Sequence, residues 1–158
     1  MEEKSVFHIV LVEPEIPQNT GNIARTCAVT GAKLHLVRPL GFSVDDKSLK
    51  RAGLDYWDEL NVVYHDSFEE IEAAYPNARF FLLSTHAKKS YADVAYQDGD
   101  FLVFGKETAG LGQALLTRRA EDAVRIPMRE GLRSLNLSNS VALVLYEALR
   151  QSGFPDMQ

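Results

Sequence analysis

Apolar residues along the chain come in short unbroken runs, each followed by a turn and then by apolar positions three or four apart. The runs are Val6 to Val12, Leu34 to Val37, Val62 to Tyr64, Phe80 to Leu83, Phe101 to Phe104 and Val124 to Ile126. Continuous runs of β-branched and aromatic residues suit parallel strands covered by helices on both faces, whereas a half-exposed strand would alternate. Helices are expected over Thr20 to Thr30, stopped by Gly31; Asp45 to Arg51, stopped by Gly53; and Ser67 to Tyr75, stopped by Pro76. Two more are expected over Gly112 to Arg119 and over Leu137 to Gln151, the latter stopped by Gly153 and Pro155. The expected fold class is therefore α/β, a parallel six-stranded sheet sandwiched by helices. In the last helix Val141, Ala142, Leu143, Val144, Leu145, Ala148 and Leu149 cover more than one face. Part of that surface is expected to meet a partner subunit, most simply a twofold copy; packing within its own sheet is the other reading.

With 158 residues and 46% apolar composition the chain can bury one core, so residues 1–158 are expected to form a single domain. Its 17 basic against 22 acidic residues leave a net charge of −5, which argues against holding nucleic acid by bulk charge alone. A nucleic-acid role would need a local basic patch. The start, MEEKSVFHIVLVEPE, is too short in its apolar part and wrongly flanked for a signal peptide or membrane span, so the protein reads as cytoplasmic with no membrane role. The one cysteine, Cys27, excludes an internal disulfide, and His8, His35, His65 and His86 lack the spacing of metal ligands, so no metal is expected.

Parallel α/β sheets bind ligands beyond the carboxyl ends of their strands, which directs attention to three loops. After the fifth run comes FGKETAGLG, residues 104 to 112, which fits neither the dinucleotide pattern GxGxxG nor the phosphate loop GxxxxGK[ST]. Gly105, at a strand end, would let a ligand or another backbone come close, and Gly110 and Gly112 would supply turns with positive φ. Glu107 offers a carboxylate, a poor neighbour for phosphate but a good acceptor for an arginine, an amine or a ribose hydroxyl; a solvated turn glutamate is the plainer reading. After the sixth run, Ser134, Asn136, Ser138, Asn139 and Ser140 crowd the start of the last helix. That is more than one N-cap needs, and the surplus could bind a ligand carboxylate or hydroxyl.

The loop after the first run, EPEIPQNTGNIART, places Asn22 and Arg25 three apart near the expected start of a helix. A cation there opposes the helix dipole, which points to an anionic target such as a phosphate, with a salt bridge to Glu13 or Glu107 as the alternative.

Taken in order, NTGNIART followed by GA, then FGKETAGL, then IPM and SLNLSNSVA resemble the three signature motifs of the SPOUT superfamily, in particular its SpoU-type ribose 2′-O-methyltransferases. The resemblance spans about Val6 to Gln151, and KSLKRAGLDYW further resembles the stand-alone subgroup that methylates the wobble nucleotide of tRNA. The resemblance implies a homodimer with a carboxyl-terminal trefoil knot and S-adenosyl-L-methionine as cofactor, leaving as S-adenosyl-L-homocysteine. It implies 2′-O-methylation at position 34, cytidine or modified uridine, of tRNA, with leucine isoacceptors as substrates.

Carried over by motif, the cofactor would be held by Leu83, Thr85, Gly105, Glu107, Ile126, Met128, Ser134, Leu135 and Asn139, and the catalytic positions would be Arg25 and Asn19. Because a guanidinium stays protonated, Arg25 is expected to act as an electrostatic clamp rather than as a base. Lys47, Lys50, Arg51, Trp57, Arg129 and Tyr146 are the candidate RNA contacts, with Lys88, Lys89, Arg125 and Arg133 as further basic positions. The same chemistry on another tRNA position or ribosomal RNA, a nonenzymatic RNA-binding factor, and a flavodoxin-like module are the alternatives.

Overall fold

The computed structural model describes residues 6–45, 47–49, 51, 60–132 and 135–158. Among them, six strands are ordered β3-β2-β1-β5-β4-β6 in one sheet, and every pairing is parallel. The strands are β1 His8–Val12, β2 Lys33–Val37, β3 Val63–His65, β4 Phe80–Leu83, β5 Phe101–Phe104 and β6 Ala123–Val124. The helices are α1 Pro17–Thr30, α2 Phe68–Ala74, α3 Gln113–Arg118 and α4 Leu137–Gln151, with short 3₁₀ turns at Tyr91–Asp93 and Ala120–Asp122. Lys47, Ser48, Leu49 and Arg51 are also helical.

Strand parity divides the core. Ile9, Leu11, Leu34, Leu36, Leu102 and Phe104 turn to the side covered by α1 and α4, with Ile23, Cys27, Val141 and Leu145 packed on them. Val10, Val37, Phe101 and Val103 turn the other way and meet Phe68 and Ile71 of α2. Both faces are covered, which is why the strands read as unbroken apolar runs. Cys27 is completely buried, and burial pushes its thiol up to about 12, so it serves as a small core residue rather than a nucleophile.

Two boundary shifts bear on the site. The sixth strand is shorter and earlier than the Val124 to Ile126 run, pairing with β4 only through Ala123 and Val124. Helix α1 begins at Pro17, three residues before Thr20, because proline's fixed φ and missing N–H suit a first helical position. Arg25 is therefore mid-helix, and the argument from the helix dipole does not apply to it.

Candidate functional site

Strand order reverses its direction of growth at β1, whose neighbours are β2 and β5. The loops leaving β1 and β5 part at that point and open a crevice at the carboxyl edge. Here they are fastened to each other. Glu107 accepts from the backbone N–H of Glu15 at 2.8 Å and of Ile16 at 2.9 Å. In return the Glu15 carboxylate accepts from the Thr108 N–H at 2.9 Å and hydroxyl at 2.7 Å, and those bonds hold its pKa low despite opposing desolvation. Lys106 adds an ion pair to Glu13 at 3.6 Å.

Ile16, the N-cap of α1, has no side chain able to accept from the helix's first amides. From across the crevice Glu107 instead holds the N–H groups of Glu15 and Ile16 just ahead of the helix, and its charge sits at the favourable end of the helix dipole. The expected acceptor role of Glu107 is thus filled by backbone amides of the chain itself. Glu13 and Glu107, the two partners named by the salt-bridge alternative, are engaged by Lys106 and by backbone amides respectively.

The FGKETAGLG loop folds back on itself tightly. The Gly110 N–H donates to Lys106 O at 2.8 Å, and a Cβ on Gly105 would lie 2.1 Å from Gly110 C and 2.2 Å from Leu111 N. Gly105 is required by the approach of another backbone. Gly110 has the expected positive φ of 66°, but Gly112 has φ −65° and serves as the N-cap of α3.

The third loop joins through Asn136. Its Oδ1 caps α4 by accepting from Ser138 N at 2.9 Å and Asn139 N at 3.2 Å, while its Nδ2 donates to Asn19 Oδ1 at 3.1 Å. Asn19 Nδ2 in turn donates to Glu107 Oε2 at 3.2 Å. One chain of side chains, Glu107–Asn19–Asn136, therefore links all three loops. Ser138 and Ser140 also serve the cap, their hydroxyls donating to Asn136 Oδ1 at 2.6 Å and Asn136 O at 3.1 Å.

Around this link lies a cavity of about 790 Å³. Leu83, Thr85, Gly105, Glu107, Ile126, Met128 and Leu135 line it, as does Asn19. Asn139 is exposed and not part of the lining; Asn136 and Ser140, a turn apart on α4, take that place. The spacing of the polar cluster was legible in the sequence, but which asparagine turns inward depends on where the helix starts. Ser134, Lys50, Trp57 and Arg133 lie outside the described residues.

Arg25 is exposed and does not line the cavity. Six residues beyond Asn19 on α1, it stands roughly 9 Å further along the axis and about 120° around it. Lys47, Arg51, Arg129 and Tyr146 are exposed as well. Backbone bonds from Arg125 N to Lys89 O and from Tyr91 N to Arg125 O, both 2.8 Å, draw the Lys88-Lys89 and Arg125 segments into one basic edge beyond β4 and β6.

Three of the four histidines are not scattered. His8 Nδ1 lies 2.9 Å from His35 Nε2, and His35 Nδ1 lies 3.0 Å from His65 Nε2, forming a buried ladder across β1, β2 and β3. His8 stacks on Phe101 with centroids 4.0 Å apart. Burial, then Lys33, lowers His8 to about 4; burial, then His8, His65 and Lys33, lowers His35 to about 3. Sequence spacing hid this because residues 27 and 30 apart in the chain meet only when parallel strands pair in register. Among the described residues no group of three or more His, Cys, Asp or Glu side chains is placed to hold a metal ion, and no helix is long and apolar enough to cross a membrane.

Comparison with known proteins converges on one family. A tRNA (cytidine(34)-2′-O)-methyltransferase of Burkholderia pseudomallei is 54% identical over 153 residues, covering 94% of this chain and 97% of its own length. A protein solved for structural insights into the 2-OH methylation of C/U34 on tRNA superposes with a TM-score of 0.89 at 45% identity, covering 94% of this chain and 97% of its own. The SpoU methyltransferase AviRb of Streptomyces viridochromogenes, in complex with AdoMet, superposes with a TM-score of 0.84 at 26% identity, covering 99% of this chain and 61% of its own. With its three loops gathered at the switch point and residues 6–146 matching the SpoU rRNA methylase family, the chain belongs to that family.

Proposed function

We propose that this protein is an S-adenosylmethionine-dependent 2′-O-methyltransferase of the wobble nucleotide of tRNA, cytidine or modified uridine at position 34, working in the cytoplasm as a homodimer. The observation that carries the reading is the Glu107–Asn19–Asn136 link, which gathers the three motif loops around one cavity. The high identity to the Burkholderia enzyme over nearly the whole of both chains supports the choice of substrate.

The donor set fits the cofactor. Leu83, Ile126, Met128 and Leu135 offer apolar walls for an adenine, and the close-folded backbone of residues 105–112 offers its polar edge partners. Lys106 is paired with Glu13, so no basic pair there demands a phosphate, in keeping with a ligand that has none. Bound S-adenosylmethionine supplies a methyl on a sulfonium, whose leaving group is a neutral thioether.

The chain's own task is positioning. The ribose hydroxyl must stand about 3 Å from the methyl and opposite the sulfur, and rigid loops supply that alignment without reorganisation at the moment of transfer. Asn19, held from both sides, orients the cavity wall nearest the crevice. Arg25, exposed on α1 outside the cavity, serves as a phosphate clamp that positions the RNA, the proton leaving to water or a phosphate oxygen.

The dimer contact is formed by α4 and its neighbours. Leu143 at 43%, Tyr146 at 40% and Phe154 at 39% exposure form an apolar surface away from the buried stripe of Val141, Val144, Leu145 and Ala148. A twofold copy covers it, and the family's knot brings α4 to that face.

The test is incubation with labelled methyl donor and total tRNA, followed by nucleoside analysis. Label in 2′-O-methylated nucleosides at position 34 supports the reading; label elsewhere, or none, overturns it. Arg25→Lys keeps partial activity and Arg25→Ala loses nearly all; equal loss in both with cofactor binding intact contradicts the clamp.

A further inference from the structure

A second cavity, of about 720 Å³, opens at the carboxyl ends of β2 and β3, outside the site just described. Arg38, Pro39, Phe42, Tyr64 and Asp66 are among its walls. The Arg38 guanidinium lies 5.6 Å over the Tyr64 ring, and its Nε donates to Asp66 Oδ1 at 3.0 Å. Half of the arginine side chain and 74% of the aspartate side chain remain exposed.

The loops beside the two cavities touch. Gly41 N donates to Pro14 O at 2.9 Å, and a Cβ on Gly41 would come within 2.8 Å of Glu15 Cα, so the loop holding the second cavity is pressed against residues 14–15. The next residue, Ile16, lines the first cavity. A strand of RNA whose ribose enters one would pass the mouth of the other.

We infer that this second cavity receives an unstacked nucleobase carrying an exocyclic amine, from a nucleotide neighbouring the one that is methylated. The inference rests on the proposed RNA substrate. Aromatic rings with a guanidinium plane are the surfaces on which single-stranded bases stack, and an exposed carboxylate accepts from an amine of cytosine or adenine but repels a keto oxygen. A phosphate or an acidic peptide would meet Asp66 unfavourably, and an aliphatic ligand would leave the Arg38–Asp66 pair unused.

The experiment uses the full-length protein, S-adenosylmethionine calorimetry, and methylation kinetics on anticodon stem-loops that differ only at the nucleotides flanking the target. Tyr64→Leu and Phe42→Ala are expected to weaken stem-loop binding roughly 5- to 150-fold, with S-adenosylmethionine affinity unchanged. Asp66→Asn, whose amide serves a keto group as well as an amine, is expected to narrow the preference for an amine-bearing flanking base roughly fivefold. Unchanged RNA affinity and preference in stably folded variants overturns the inference. So does a change confined to sedimentation, which would make the cavity a contact between copies. Failure of the wild-type protein to methylate any stem-loop or tRNA instead strikes the substrate reading itself.

Discussion

Acidification should weaken this protein well above the carboxylate range, and the buried histidine ladder is the cause. Each neutral imidazole in the chain of His8, His35 and His65 shares one proton with its neighbour across 2.9 and 3.0 Å. An extra proton would set two N–H groups against each other or leave a buried cation without a partner. The folded values, about 4 for His8 and about 3 for His35, lie below the unfolded 6.5, so the unfolded chain binds more protons between those limits. Stability is then complete above about pH 7 and declines as pH falls through 6.5 toward 4. At pH 5 an unfolded imidazole is about 97% protonated while the folded ones are nearly all neutral, a loss of about 2 kcal/mol for each, or about 4 kcal/mol for His8 and His35 together relative to pH 7.5. His65, also lowered chiefly by burial, acts in the same direction. That is between a quarter and most of the roughly 5–15 kcal/mol of a typical domain. Urea unfolding at fixed protein concentration, at pH 7.5, 6.5, 5.5 and 5.0, measures it through the midpoint. His35→Gln keeps a donor and an acceptor but does not titrate, and should remove about half of the slope. A wild-type loss below about 1 kcal/mol over this interval, or an identical slope in His35→Gln, refutes the argument.

Three other substitutions probe the site. Gly105→Ala places a methyl 2.1 Å from the backbone of Gly110, which only a shift of the loop relieves; calorimetry should find S-adenosylmethionine affinity reduced roughly 5- to 150-fold, the effect of about 1–3 kcal/mol of overpacking, and retained affinity contradicts the clash. Glu107→Gln turns an NH₂ toward amides of Glu15 and Ile16 that need an acceptor, and should cost about 2 kcal/mol in denaturant unfolding together with cofactor binding. Thr20 Oγ1 is buried without a hydrogen-bond partner among the described residues, so Thr20→Val is expected to be neutral or stabilising by about 1 kcal/mol, and a lower melting temperature would reveal a partner for the hydroxyl.

Much of this was legible in one dimension. Strands covered on both faces cannot hide their apolar runs, and Phe80–Leu83 and Phe101–Phe104 fall where the pattern put them. The helix Leu137–Gln151 was equally plain, bounded by an asparagine cap and a glycine stop. What failed did so where identity depends on a neighbour distant in sequence. The entry to α1 is tied down by Glu107, about ninety positions away, which accepts from the Ile16 N–H and the Asn19 side chain. Asn139 comes from the family motif, and that Asn136 is the one facing Asn19 is decided by a contact between distant segments. The histidines looked unrelated because parallel register, invisible in spacing, brings them into line.

The use of Glu107 shows how the fold and the chemistry are coupled. A carboxylate in a ligand-binding loop would ordinarily be assigned to the ligand, yet this one accepts from two backbone amides and the Asn19 side chain. Those bonds fasten the α1 entry loop to the β5 loop, and Asn19 passes the restraint to the start of α4 through Asn136. Three segments that share no strand pairing with one another at their tips thereby move as one. For an in-line transfer whose barrier depends on alignment, rigidity of the cavity wall contributes more than another hydrogen bond to the ligand would, because misplacement of the reacting atoms by about 1 Å can cost roughly a hundredfold in rate. The charge is consequently expected to matter through geometry: Glu107→Asp, which keeps the charge but shortens the reach, should lose cofactor affinity nearly as fully as Glu107→Gln. If Glu107→Asp instead retains wild-type affinity, the carboxylate acts by charge on the ligand and the structural assignment is wrong.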